Sequence, residues 1–478
     1  MKGRAIRLAA GTAAMCMVLG ASPAFAQSAT ENLLLKLKEK GILSDDEYNA
    51  LLAREQAQEA QQAQAAAPAT TTVATSAPQQ PDQAAAAALD DKRVVHMTEN
   101  GIGLTAGGVT IKFSGEVNGF YVHDAAQRPG PNTTVTGGLV SVGEQSSSVR
   151  NGLLPAFFKT DVTTVQSGWD IGAHFGFYPG IESQSGAGGA NGGGNPAALA
   201  TAGIDFRQVY LTFGKPKFGE VKIGRDIGLF GADAILNDIT ILGSGSPLAN
   251  SAPTNTTLGR IGIGYIYTDF QPQITYTTPK FGGFQAAAGI FQPLTTAGFA
   301  ETNSTPGFQG KITYDFKSGG LTGHLWASGI VQHHDQTAGL PAAYTGRAFD
   351  VGAKLGISNF GLVGYYYNGT GVGTTGLFIL SADALGRTRN SDGFYGQATY
   401  TLGKLTVGGS YGESRLSLTN GEINPTLLDK NFSWVGQARY SLTSWMTLVG
   451  EYIHTGANAQ GGNRARSDAV AVGGILFF

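Results

Sequence analysis

From Val109 to Phe478 apolar and polar residues alternate with a period of two. IKFSGEVNGFYV sets Ile111, Phe113, Val117 and Tyr121 against Lys112, Ser114, Glu116 and Asn118. GFQGKITYDF places Phe308, Ile312, Tyr314 and Phe316 opposite Gln309, Lys311, Thr313 and Asp315, and AFDVGAKLGIS places Phe349, Val351, Leu355 and Ile357 opposite Asp350, Lys354 and Ser358. GFYGQATYTL and FSWVGQARYSL repeat the scheme. Each segment predicts a strand of about ten residues with one apolar and one polar face. Seventeen such segments can be counted from residue 109, but 258–268 and 270–278 read as one strand interrupted near Pro272, so sixteen strands are expected.

A soluble sandwich also alternates. Two features point instead to a membrane: the strands approach the ~9–11 residues that a tilted strand needs to cross a bilayer, and aromatic residues gather at their ends, as an interfacial girdle requires. The polar faces mix Lys, Arg, Asp and Glu with many glycines, which fills a core poorly and suits the wall of a water-filled lumen. Connectors alternate too. Short turns such as PKFGG (279–283), KSGG (317–320) and LTSW (442–445) interleave with long polar stretches at 125–150, 181–202, 292–305, 334–344, 370–390 and 415–431. The fold expected is therefore all-β, a 16-stranded antiparallel transmembrane barrel over 108–478. After residue 26 no run approaches the ~18 apolar residues of a spanning helix.

The front of the chain differs. Lys2, Arg4 and Arg7 precede an apolar stretch, and Ala24-Phe25-Ala26 supplies a small-x-small cleavage site, so 1–26 reads as a secretory signal peptide. The only cysteine, Cys16, lies within it and excludes a disulfide framework. Its removal leaves 29 basic against 34 acidic residues, a net charge of −5 that argues against nucleic acid as a partner. In 27–60, Leu33, Leu34 and Leu37, then Tyr48, Leu51 and Leu52, recur at helical spacing; Gly41 ends the first helix, and Ser44 with Glu47 forms a capping box for the second. This pair resembles the short SHOCT-like helical oligomerisation element, which implies a role in assembly or in contact with the periplasm or cell wall. Residues 61–107 are Ala-, Gln- and Pro-rich and read as a linker.

At 204–260 lies IDFRQVYLTFGKPKFGEVKIGRDIGLFGADAILNDITILGSGSPLANSAPTNTTLGR, a hairpin ending in Gly-Arg-Asp, then a long loop, then Gly-Arg. Together with YTTPKFGGF from Tyr276, it resembles the trimeric general porins of Gram-negative bacteria. The resemblance implies an outer-membrane homotrimer and a loop, here 226–259, folded inward to narrow the lumen, its carboxylates facing a wall of arginines. By position, Arg225 and Arg260 stand for the wall and Asp238 for the loop acid, with Asp226 and Asp233 as further acids. Val221 and Ile223 point outward, so Arg225 reaches the lumen only past the strand's end. Leu242, Gly243 and Ser244 stand where a second loop acid would fall. Arg207, Lys112, Glu116, Lys311, Lys354 and Arg439 are candidate lumen lining. The terminal Phe478 resembles the signal by which the barrel-insertion machinery selects its clients.

The function expected is passive diffusion of small hydrophilic solutes and ions through the outer membrane. The alternatives are a channel selective for sugars, organic acids or anions, and, in a different class, a barrel enzyme. The seven histidines are scattered, no serine has a nucleophile-elbow context, and adjacent His333 and His334 point to opposite faces of a strand. No catalytic residue, metal site or cofactor is therefore expected.

Overall fold

The computed structural model describes residues 95–98, 101–182, 203–248 and 255–478. The signal peptide and the helix pair expected at 27–60 lie outside the described residues. The alternation resolves into strands β1 (His96–Met97), β2 (Ile102–Ala106), β3 (Val109–Ala125), β4 (Ser146–Arg150), β5 (Phe157–Gln166) and β6 (Trp169–Pro179). Then come β7 (Ile204–Lys215), β8 (Gly219–Ile227), β9 (Phe270–Thr277), β10 (Phe284–Phe291), β11 (Gly307–Ser318) and β12 (Leu321–His334). The last seven are β13 (Tyr344–Ile357), β14 (Phe360–Thr370), β15 (Asn390–Leu402), β16 (Leu405–Leu416), β17 (Leu428–Ser441), β18 (Met446–Ala459) and β19 (Arg464–Phe477).

Each strand from β5 to β19 pairs antiparallel with the next, and β19 returns to β3, with Val472 opposite Tyr121. Along its other edge β3 pairs first with β4 and then with β5, which together occupy one strand position. The cylinder therefore has sixteen antiparallel strands, as the alternation predicts. Closure leaves no strand edge in lipid, where an unpaired amide costs several kcal/mol. The last residue is part of that closure. Phe478 N donates to Gly115 O and Gly115 N to Phe478 O, both at 3.0 Å, and the Phe478 ring lies 6.2 Å from that of Trp445. Gly115 leaves room for that ring, since a Cβ there would sit 2.3 Å from it.

The two faces separate as expected. Val117, Tyr121, Ile312, Val351 and Trp434 are exposed on the outside, whereas Gln309, Asp350 and Gln437 are buried inside. Aromatic pairs ring both ends, Phe284–Tyr314 and Phe360–Tyr400 toward the turns and Phe349–Tyr366 and Trp434–Tyr452 toward the loops. Among the described residues no helix is long and apolar enough to cross a membrane.

One expected strand is shorter than its alternation suggests, because only Phe270–Thr277 of the segment 258–278 joins the wall. Residues 258–268 alternate as Ile261, Ile263, Tyr265 and Tyr267, yet they belong to the inward loop, which spans 228–269 rather than 226–259. Gly262 and Gly264, at φ 76° and 113°, turn the chain so that these side chains bury inside the barrel. Strand β9 then runs uninterrupted through Pro272.

Candidate functional site

The inward loop carries a short helix, α1 (Ala232–Asn237), and a 3-10 turn at Ile239–Leu242. Its apolar side is set by Phe230, Ala234, Ile235, Ile261, Tyr265 and Ile266. These pack against Trp326, Ile330, Val363, Tyr365, Tyr367 and Tyr395, inward residues of β12, β14 and β15, so that side chains fill this part of the interior.

Polar side chains of the wall bolt the loop backbone in place, rung by rung. Gln309 Oε1 on β11 accepts from Leu229 N and Phe230 N at 2.8 and 3.0 Å. Asp350 Oδ2 on β13 accepts from Gly231 N at 2.8 Å, and Tyr395 on β15 donates to Ala234 O at 2.8 Å. Gln397 accepts from Ile239 N and donates to Asn237 O, each at 2.8 Å. On β17 and β18, Gln437 donates to Ile239 O, and Glu451 Oε2 accepts from Ser244 N and Gly245 N. These bonds satisfy loop amides that would otherwise be buried without partners. None of these anchors stood out in the sequence, because each is simply an inward polar position on a strand.

The candidate constriction residues divide into two groups. Asp238 and Arg260 are buried and structural. Asp238 caps the 3-10 turn, accepting from Thr240 N at 3.0 Å and Thr240 Oγ1 at 2.6 Å, and also accepts from Tyr265 Oη at 3.0 Å. Arg260 donates to Ser433 O at 3.2 Å and lies 5.9 Å from the Tyr395 ring. Burial pushes the Asp238 carboxyl upward and Arg260 opposes that push. Asp238 therefore feels the charge of Arg260, without a direct ion pair between them, and neither residue borders open water.

Asp233, on the first turn of α1, does meet a wall cation, Lys311 Nζ at 2.8 Å, and also the ring of His324, with Nε2 at 3.3 Å. Arg207 pairs with Asp205 at 2.7 Å and stacks over Tyr178 and Phe270. Asp226 is held by Lys222 at 2.5 Å and Gln208 at 2.7 Å, on a polar band that continues through Tyr210 and His174 to Asp161. Arg225 pairs in register with outward Val209 and Pro272, as the parity of Val221 and Ile223 predicts. Its exposed side chain nevertheless lines a cavity of about 360 Å³ with Asp205, Arg207, Asp269 and loop residue Ile235. Gly224, at φ 137°, breaks the pleat immediately before it.

Lys112, Lys354 and Arg439 face inward in the turn-side half of the barrel, Lys112 and Lys354 exposed and Arg439 half-buried. Glu116 is a correction to the lumen lining. It faces inward but is wholly buried, bonded by Asn118, whose amide also donates to Leu154 O in the segment covering it.

The sequence profile of the Gram-negative porin family matches residues 65–474. The chain belongs to the Gram-negative porins. This porin is similar in fold to the outer membrane channel DcaP of Acinetobacter baumannii, with a TM-score of 0.57 and 16% identity over 78% of this chain and 99% of that one. It is also similar to an anion-selective porin from Comamonas acidovorans, with a TM-score of 0.51 and 15% identity over 77% of this chain and 100% of that one. No curated protein matches it. The porin forms an outer-membrane channel through which small hydrophilic solutes diffuse passively.

Proposed function

We propose that this porin is a general diffusion channel with a preference for anions. One observation carries the reading. Among the described residues, the inward cations Lys112, Lys159, Arg225, Lys354 and Arg439 have no ion pair, whereas the loop acids Asp233 and Asp238 are spoken for. Asp233 is balanced by Lys311, Asp226 by Lys222, and Asp238 is buried. Among the described residues, the inward acids without an ion pair that lie toward open space are Asp170 and Glu220, both at the turn end of the wall, and Asp269 beside Arg225, while Glu116, Asp350 and Glu451 are buried. An excess of fixed positive charge in a narrow, low-dielectric lumen raises the local concentration of anions. The gap at Leu242, Gly243 and Ser244, where a second loop acid is missing, acts in the same direction. The anion-selective porin from Comamonas acidovorans, which shares the fold, is in keeping with it.

The zero-current potential of reconstituted channels in a KCl gradient tests the reading. Chloride preference is expected, reduced when Lys112 and Arg225 are changed to Gln; potassium preference in the unmodified protein overturns it.

The porin further acts as a homotrimer that docks through the β3–β18–β19 face. There Asp468 is half-exposed on the outer wall, bonded by Tyr452 Oη at 2.7 Å and His454 Nδ1 at 2.8 Å, near His123. Outward Gly119 and Gly474 lie opposite each other below them. A carboxylate facing lipid is costly, and a neighbouring copy removes that cost. Native mass spectrometry with Gly119→Trp tests it: the trimer is expected to dissociate, and an unchanged trimer contradicts the assignment of the face.

A further inference from the structure

A groove of about 780 Å³ lies not in the lumen but on the outer wall, crossing β11 to β15. Its floor is made by Gly310 and Gly329, paired directly across from each other. Neither has a side chain to fill the space, and an added Cβ would meet only a backbone oxygen at ordinary contact, 3.7 Å from Ala287 O and 3.4 Å from Ala348 O respectively. Phe308 and Val331 form the bank on the loop side, and Phe349 stands at the far end, all exposed. These groups face the hydrocarbon, so the groove is apolar and open to acyl chains.

Its rim is not apolar. Arg347 lies opposite both Val331 and Thr370, is exposed, and has no hydrogen bond or ion pair among the described residues. Asn368 and Asn390 flank it. Arg347 is three residues inside the loop end of β13 and two beyond Phe349, which with Tyr366 belongs to the loop-side aromatic belt. Its guanidinium is therefore at the height of the headgroups on the loop side of the bilayer. A cation there without a protein partner is complemented by an anionic headgroup. The face is remote from β3 and β19.

We propose that this groove is a binding site for a lipid of the outer leaflet. An acyl chain lies over Gly310 and Gly329 between Phe308, Val331 and Phe349, and a headgroup phosphate is held by Arg347 with Asn368 and Asn390. The two parts contribute separately: the groove holds any acyl chain, and Arg347 supplies the preference for negative charge.

Native mass spectrometry of the full chain, released from detergent and titrated with dimyristoyl phosphatidylglycerol or dimyristoyl phosphatidylcholine, tests both parts. The unmodified porin is expected to retain phosphatidylglycerol in preference to phosphatidylcholine. Arg347→Gln should lower that preference about fivefold, the value of one basic residue near a membrane surface. Gly329→Leu fills the floor and should lower retention of both lipids about tenfold, equivalent to displacing roughly two methylenes. All three proteins should keep the same channel conductance, which shows that the variants are folded, because both positions face away from the lumen. Should Arg347→Gln keep the preference, or Gly329→Leu keep its lipids, the site is overturned. If a folding defect appears in Gly329→Leu, Gly310→Leu repeats the test on the partner strand, and full retention there is equally contrary.

Discussion

Glu451 holds the second half of the inward loop, and truncating it should let that half leave the wall. Its Oε2 accepts from Ser244 N at 2.6 Å and Gly245 N at 3.1 Å, while Oε1 accepts from Gln437 Nε2 at 2.8 Å. A hydrogen bond of this kind contributes about 1–1.5 kcal/mol net, so Glu451→Ala removes about 2–3 kcal/mol of anchoring from the two loop amides. At ~1.4 kcal/mol per factor of ten, the detached fraction rises about 30- to 150-fold. Single-channel recording in planar bilayers reads this directly, as excursions to a higher conductance level that are rare in the unmodified protein and frequent in the variant. Gly243→Ala supplies an independent perturbation, because a Cβ at that position would lie 2.2 Å from Glu451 Oε1 and must displace the carboxylate. Both variants should show the same new open level. Dwell-time distributions in both that match the unmodified channel would refute the view that this side chain positions the loop.

Other outcomes follow from the same geometry. Asp238→Ala removes the three hydrogen bonds from Thr240 and Tyr265 and leaves Arg260 buried without the acid that opposes its desolvation, and should cost about 3 kcal/mol of stability, seen as a lower unfolding temperature in detergent; a change in ion preference at unaltered stability would contradict its structural role. Asp233→Asn leaves Lys311 uncompensated and should strengthen chloride preference in a KCl gradient; an unchanged or reversed potential counts against its place in the passage. In loops 371–389 and 417–427, burial acts to raise the Asp383 carboxyl, but hydrogen bonds from Thr419, Arg387 and Leu385 hold it at about 2, while Arg389 holds Glu422 below the usual carboxylate range. Because both folded values are depressed, these acids stabilise the loops above their ordinary range; for Asp383 that contribution is present above 3.8 and is lost as pH falls through about 2. Pepsin should therefore begin to cut these loops only within that acid window, and equal cutting at both of its ends would be contrary. Phe478→Ala removes the ring packed on Trp445 and Gly115 and should lower the temperature at which the barrel opens in detergent gels by several degrees; no shift would mean that the terminal ring does not help to close the cylinder.

The barrel was legible because its signal is local and repeated. Every strand from β11 to β19 carries its own alternation, and the aromatic belts and the two classes of connector follow from the same string of residues. The inward loop was legible in place but not in extent. The run Ile261, Ile263, Tyr265, Tyr267 has the period of a strand, and only the left-handed turns at Gly262 and Gly264 show that it coils inside the lumen. Asp238 occupies the position of a loop acid, but its environment is set by Tyr265 and Arg260, more than twenty residues away, and no local pattern announces that it is buried. Glu116 alternates correctly to the inside, yet the segment around Leu154 covers it, which again depends on a distant part of the chain. Arg225 shows the converse, a residue on the outward register whose side chain reaches the lumen cavity because the pleat fails at Gly224.

The central claim is that one face of each strand meets lipid while the other meets water in a continuous passage. The only cysteine in the sequence is Cys16, outside the barrel, so single cysteines introduced into the wall report without interference. On β13, Lys354 is exposed on the inner face and Val351 on the outer. A charged, water-soluble methanethiosulfonate reagent applied to the open channel should change the current through Lys354→Cys within seconds to minutes and leave Val351→Cys unaltered. Modification of Val351→Cys instead, or equal modification of both, would contradict the account.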